Sequence, residues 1–259
     1  MARVYFVGAG PGDPELLTRK AARLLAQAEV VLHDALVQPA VLDLARDARL
    51  IDVGKRACRP STAQRFINRA LVAAARSYGC VVRLKGGDPA IFGRLDEEIT
   101  ALRDAGIDFE VVPGITTASA AAAELGSSLT LRGVARSVTL LTPRVAEGLE
   151  QSDWQRAARG DTTLVVYMAG RQIAATASAL IEQGLPGATP VAVQESVSLP
   201  TARLWTGSLH EAATHAIALG GGPVVLTIGE ALRGAVEQRE AAASQAVLLT
   251  ADLPQARVA

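Results

Sequence analysis

The sequence predicts an α/β protein made of two α/β domains with mainly parallel sheets. Three observations carry that expectation. Short apolar segments such as Val4-Tyr5-Phe6-Val7, Val30-Val31-Leu32 and Val81-Val82 alternate with segments of helix length along the whole chain. Continuous apolar runs suit strands buried on both faces, as in a parallel sheet covered by its crossover helices. The strand–helix rhythm also restarts after Pro113-Gly114, in a chain of 259 residues, longer than most single cores. The expected division is residues 1–113, residues 114–240, and a tail at 241–259 in which apolar residues follow no clear period.

In order, Val4 to Val7 is the first strand and opens into Gly8-Ala9-Gly10-Pro11-Gly12-Asp13-Pro14. Leu17, Ala21, Leu24 and Ala28 then share one helical face. The second strand ends in His33-Asp34, a short helix spans 39–46, and the third strand, Leu50-Ile51-Asp52-Val53, ends at Gly54-Lys55-Arg56. Ser61 is placed to cap a long helix carrying Phe66, Ile67, Ala70, Leu71 and Ala74. The fourth strand, Val81-Val82-Arg83-Leu84-Lys85, breaks at Gly86-Gly87-Asp88-Pro89, passes Phe92-Gly93-Arg94 and enters a helix at about Asp96. A fifth strand at 109–112 precedes Pro113-Gly114-Ile115-Thr116-Thr117 and a small-residue helix at 118–123. Beyond it, 137–142, 163–168, 190–194, 203–206 and 223–228 read as strands, with helices at 172–183 and 209–218, and there is no repeat of fixed spacing.

Composition excludes several classes. Hydrophobic residues make up 49% and mean hydropathy is +0.24, which supports packed cores and argues against disorder. Lys plus Arg equals Asp plus Glu at 26 each, so no global field recruits nucleic acid or a membrane. Cys58 and Cys80 make no disulfide framework and suit a reducing compartment. The opening MARVYFVGAG lacks a signal-peptide pattern, and no uncharged apolar run nears the ~18 residues of a membrane helix, so the expected location is cytoplasmic. His33, His210 and His215 have no ligand spacing with the cysteines, so no metal is expected, and Ser or Cys nucleophile signatures are absent.

The chemistry points to the break after the fourth strand. Paired glycines there place bare backbone at the carboxyl edge of a sheet, where open α/β folds bind ligands. Gly86 and Gly87 allow close approach, and Asp88 offers an acceptor for hydroxyls or a cation, although GGDP alone reads equally well as an ordinary turn. The earlier Gly8-Ala9-Gly10-Pro11-Gly12-Asp13 invites a dinucleotide reading, with Asp34 where a ribose-binding acid would stand. The third glycine of that fingerprint is Asp13, followed by Pro14, and a side chain there hinders helix–strand packing while proline suits a first helical turn.

VYFVGAGPGDPELLT, VLHDALV, VGKR, VVRLKGGDP-x-x-FGR-x-x-EE, VVPGITTA and LTLRGVARSVTLLT follow one another in the order and spacing of the tetrapyrrole methyltransferases. The chain resembles that family from Val4 to about Gly229, most closely its members that act on uroporphyrinogen III. The resemblance implies a class III S-adenosylmethionine (SAM) methyltransferase with the tetrapyrrole methylase fold, an active-site cleft between its two domains, and a homodimer. It implies that main chain and small side chains hold SAM and release S-adenosylhomocysteine. Carried over by position, the cofactor contacts are Pro11, Gly86, Gly87, Asp88, Ile91, Thr116, Thr117, Met168, Val197 and Pro223. Alone, Met168 reads as a core methionine, and Val197 replaces the family's glycine. Asp34 and Lys55 match proposed proton acceptors or donors, and Arg94 and Glu97 match a substrate-holding pair.

Such a set suits an electron-rich tetrapyrrole ringed by carboxylate arms, for which Arg94, Lys55 and Arg56 are apt partners. Alone, Lys55 and Arg56 read as solvated surface residues. A pyrrole carbon takes the methyl group in line from an already activated sulfonium and the ring must lose a proton, so positioning supplies most of the rate. The chain departs from the family at Ala35, at Leu95-Asp96, at Leu131 and at Pro143-Arg144, positions on the substrate side. Two other readings follow: methylation of a later precorrin, or a SAM-binding paralogue with little catalysis.

Overall fold

The strand β1 (Arg3–Gly8) lies inside the first sheet, and its alternating residues feed two separate cores. A computed structural model describes residues 3–54, 60–143 and 160–251, with the side chains of 60–63 and 243–251 outside the description. The chain divides into two units, 1–120 and 121–259.

In the first unit, β1 is followed by α1 (Arg19–Gln27), β2 (Val30–His33), α2 (Pro39–Leu42), β3 (Arg49–Asp52), α3 (Pro60–Ser77), β4 (Cys80–Lys85), α4 (Leu95–Asp104), β5 (Asp108–Val112) and α5 (Thr117–Leu125). The sheet order is β3-β2-β4-β1-β5, and every pairing is parallel. Val4 and Phe6 face Leu71 of α3 and Ile99 and Leu102 of α4, whereas Val7, Val31, Val82 and Leu84 pack on Leu24 and Leu25 of α1. Phe6 meets Phe109 edge to face, with ring centroids 6.0 Å apart. The register pairs Gly8 with Lys85 and His33 with Leu84, so the strands β1, β2 and β4 end side by side. Thr18 caps α1 by accepting from the Ala21 N–H at 3.1 Å.

In the second unit the order is β6 (Ser137–Leu141), β7 (Thr162–Tyr167), α6 (Ile173–Glu182), β8 (Pro190–Glu195), β9 (Arg203–Ser208), α7 (Leu209–Thr214), β10 (Val224–Ile228) and α8 (Arg233–Ala251). Its sheet runs β6-β7-β10-β8-β9. Leu164, Val166, Val191, Val193, Leu226 and Ile228 pack against Ile173, Ala177 and Leu180 of α6 and Leu209 of α7. A capping box of Ser208 and Glu211 starts α7.

The α/β class holds, and parallel pairs outnumber antiparallel ones over the two sheets, but the second sheet is mixed. Only β6 and β7 pair in parallel; β10 with β7, β10 with β8, and β8 with β9 are antiparallel. Residues 196–202 between β8 and β9 are too few for a crossover, so that pair closes as a hairpin. The division falls inside α5 instead of at Pro113. Part of the expected tail is helical, because α8 runs to Ala251; residues 252–259 lie outside the described residues. Ser61 is not a cap, since α3 is already helical at Pro60, where proline suits the first turn. Among the described residues no helix is long and apolar enough to cross a membrane.

Phe6 is fully buried between two helices and an aromatic neighbour. Phe6→Ala is expected to destabilise the first unit by about 3–5 kcal/mol, and Phe6→Leu by clearly less, as read from urea unfolding.

Candidate active site

At the carboxyl edge of the first sheet, backbone lies directly against backbone. A Cβ added at Gly8 would stand 2.5 Å from the Gly114 Cα and 2.7 Å from the Gly87 carbonyl oxygen. The loops after β1, β4 and β5 therefore meet only because Gly8 and Gly114 carry no side chain, while Gly87 is needed for its left-handed backbone. Gly87 has φ 63° and exchanges hydrogen bonds with Gly10, donating at 2.7 Å and accepting at 3.2 Å. Asp88 accepts from the Ala90 N–H at 2.8 Å and, through its other oxygen, from the Gly114 N–H at 3.0 Å. Its carboxylate thus ties the β4 loop to the β5 loop, where sequence alone suggested an acceptor for a ligand. Nothing lies within 4 Å of a Cβ built on Gly86 or Gly87, so the rim of this cradle is open main chain. Asp13, at the failed third glycine, caps the turn at Pro14–Leu16 by accepting from the Glu15 N–H at 2.8 Å.

Beneath the cradle is a buried array of four charges. Val81, Arg83 and Lys85 alternate onto the same face of β4, toward α3 and α4. The Arg83 guanidinium is 1% exposed and donates to Glu98 from Nε at 3.0 Å and from Nη2 at 3.1 Å. Nη2 also reaches the Asp34 Oδ1 at 2.5 Å, and Nη1 reaches the Leu32 and Leu84 carbonyls at 3.4 and 3.1 Å. Lys85 Nζ donates to the Glu98 Oε1 at 2.9 Å, and Gln64 Nε2 to the same oxygen at 3.3 Å. Burial alone would lower the Arg83 pKa, but the Asp34 and Glu98 carboxylates override it and raise it above the usual arginine value. Burial, helped by the Arg83 charge, pushes the Lys85 ammonium below the usual lysine range against the pull of Glu98 and Asp34. Asp34 follows β2, its carboxylate 32% exposed, and is the only member of the array that reaches solvent to any extent.

Arg94 stands at the amino end of α4 with φ 52° and lays its fork on Glu97, Nε to Oε1 at 2.7 Å and Nη2 to Oε2 at 2.8 Å. Both side chains are exposed, and Phe92 beside them is exposed with φ 52°. Ile91 donates its N–H to the Asp88 carbonyl at 3.1 Å, which closes the turn between cradle and helix. Pro11, Thr116 and Thr117 are half-buried, and the Thr116 carbonyl accepts from Ser119 at the start of α5. Lys55, like Arg56 and Arg144, lies outside the described residues.

In the second unit, Met168 follows β7 with φ 60° and is 38% exposed, which removes the reading of a core methionine. Val197 is buried between Ser196 (φ 53°) and Ser198 (φ 68°), two non-glycine residues in the left-handed region. The Ser196 N–H donates to the Pro223 carbonyl at 2.9 Å, and Pro223 itself is exposed. Glu195 accepts from the Gly220 and Gly222 N–H groups at 2.7 and 2.6 Å and thereby fixes the loop that leads to Pro223. The Gly220 N–H holds the Glu195 carboxyl below the usual carboxylate range, with Gly222 and Arg203 adding to it against desolvation.

The family model for tetrapyrrole (corrin/porphyrin) methylases matches residues 3–213. The chain belongs to this family. It is 45% identical over 91% of its length to a uroporphyrinogen-III C-methyltransferase of Pseudomonas aeruginosa, covering 96% of that protein. A siroheme synthase of Psychrobacter cryohalolentis is 46% identical over 81% of the chain, which spans only 40% of that longer protein. Among solved structures, uroporphyrin-III C-methyl transferase of Thermus thermophilus complexed with S-adenyl homocysteine superposes with a TM-score of 0.78 at 40% identity, covering 90% of this chain and 94% of that one.

Within this methylase, Pro11, Gly86, Gly87, Asp88 and Ile91 come together on the cradle, with Asp34 on the same sheet edge, while in the second unit Pro223 is bonded to Ser196, the residue before Val197. Sequence reasoning passed over Arg83, Lys85 and Glu98. The signal was present: two cations two residues apart inside a buried strand require an acidic partner, and α4 opens with Asp96-Glu97-Glu98.

Gly8→Ala is expected to cost about 1–3 kcal/mol and to weaken S-adenosylhomocysteine binding, because the backbones it touches form the cradle; thermal melting with and without the ligand reads both. Glu195 contributes stability that is present above its unfolded pKa and lost as pH falls through its lower folded value. Glu195→Gln should therefore flatten the acid side of the stability profile below the ordinary carboxylate value of 4.5, as followed by urea midpoints against pH.

Proposed function

We propose that this methylase is a uroporphyrinogen-III C-methyltransferase that transfers methyl groups from SAM to C2 and C7 of uroporphyrinogen III, giving precorrin-2. Near full-length similarity to the Pseudomonas aeruginosa enzyme carries the reading, and the open glycine cradle at the carboxyl edge of a parallel sheet suits it. The chain corresponds to part of the siroheme synthase, so only the methyl transfer is proposed.

The residues present fit SAM. Gly86 and Gly87 offer uncovered main chain, Asp88 and Gly8 hold that main chain in place, and Thr116 and Thr117 follow at the start of α5. Within the second unit, Met168, Val197 and Pro223 are the positions that the family resemblance assigns to the cofactor. Bound there, SAM supplies an electrophilic methyl group. Arg94 and Lys55 hold carboxylate arms of the tetrapyrrole, with Arg94 exchanging Glu97 for a substrate carboxylate. Asp34, held beside Arg83 and partly open to solvent, takes the proton that the tetrapyrrole ring sheds after methyl transfer. The product S-adenosylhomocysteine leaves from the same cradle. The enzyme acts in the cytoplasm as a homodimer, a reading that rests on the sequence resemblance and on a cysteine content suited to a reducing compartment.

An anaerobic assay with SAM and freshly made uroporphyrinogen III tests this, following S-adenosylhomocysteine release and product mass. A gain of two methyl groups is the expected result. SAM binding without transfer would move the substrate to a later precorrin or reduce the chain to a SAM-binding paralogue. Arg94→Ala should lower kcat/KM by about 10–100-fold, the worth of one charge-assisted fork.

A further inference from the structure

Glu98 is 1% exposed and cannot touch a substrate, yet it is the hub of the charge array. Its two oxygens take Arg83 Nε and Nη2, and one of them also takes Lys85 Nζ and the Gln64 amide. The guanidinium is planar, so a fork seated on one carboxylate aims its remaining N–H bonds in fixed directions. Here they go to the Leu32 and Leu84 carbonyls and to Asp34. Arg83 is thus clamped on three sides, and the fourth side presents Nη2 to the Asp34 carboxylate at the sheet edge.

We infer that Glu98 is a positioning residue for methyl transfer, acting on Asp34 through the Arg83 guanidinium. The inference rests on Asp34 being the proton acceptor proposed above. Stability alone does not account for the array. Buried ion sets of this kind are commonly matched or exceeded in stability by apolar residues of similar volume, and the same face of β4 already carries Val81 in an apolar cluster with Leu71 and Ile99. What apolar residues cannot supply is a fixed direction for Asp34. The Glu98 charge allows a second cation, Lys85, to sit two residues from Arg83 without displacing it. Removing it strands two like charges on one strand face and frees the guanidinium to turn.

The test is Glu98→Gln in the full chain, with steady-state kinetics on uroporphyrinogen III and SAM and calorimetric titration of S-adenosylhomocysteine. Expected is a fall in kcat of about 10–100-fold, the scale set by an ångström of misplacement, with KM and S-adenosylhomocysteine affinity held near the wild type. Because the single variant leaves two buried cations, the triple variant Arg83→Met/Lys85→Met/Glu98→Leu, whose charges are all removed, is measured beside it. It is expected to fold and to lose kcat to the same degree. Wild-type kcat in either folded variant overturns the inference, as does a parallel loss of kcat, KM, ligand affinity and melting temperature, which marks a structural role only. If the wild-type protein moves no methyl group, the proposed function fails on its own account. The crystal structure of Glu98→Gln then decides the positioning: a displaced Arg83–Asp34 contact supports it, and an unchanged contact overturns it.

Discussion

Contact between main chains at the carboxyl edge of the first sheet is the constraint from which the candidate site follows. Gly8 on β1 and Gly114 after β5 stand so close to each other and to the Gly87 carbonyl that a side chain on either would separate them, and Gly87 supplies the left-handed turn. Parallel register delivers the three strands to the same edge, and glycine lets their loops touch. The Asp88 carboxylate then bonds across from one loop to the other, so the cradle is held by peptide groups and one acid. A surface made this way recognises shape and backbone polarity and carries almost no charge of its own.

The charge sits one layer lower. Two cations on β4 and two carboxylates, from α4 and from the end of β2, form a neutral set with only Asp34 partly open to solvent. Burial raises every electrostatic contact there and makes an unpaired member costly. The depressed pKa of Lys85 is a mark of that cost: burial holds the ammonium less firmly in its charged form than water would. Arg83, with its planar fork and two carboxylates, bears the charge that stays.

Much of this was legible in the chain. Apolar runs gave the strands of the first unit, and GGDP gave the edge at which the candidate site lies, because both depend on local residue chemistry. The ion array was not read, although Arg83, Lys85 and Glu98 are plain in the sequence. Joining them needs the pleat of β4 and the helical phase of α4 together. The mixed sheet was missed for a related reason: strand direction depends on connection length, and the short link between β8 and β9 was not weighed. The left-handed backbone at Met168, Ser196 and Ser198 has no residue signal at all, since glycine is absent from each. The extension of α8 to Ala251 escaped because its residues show no apolar stripe.

Arg94 and Glu97 have a consequence for selectivity. The guanidinium that would greet a carboxylate already holds one, in a two-point grip, on the exposed first turn of its own helix. An incoming acid therefore trades places with a tethered rival, and the trade between two similar oxyanions is close to even. A small monocarboxylate gains almost nothing by it. On the proposed reading, a large ring that brings several acids and a wide apolar face wins the exchange through contacts elsewhere, so such a site would filter its guests by how much else they offer.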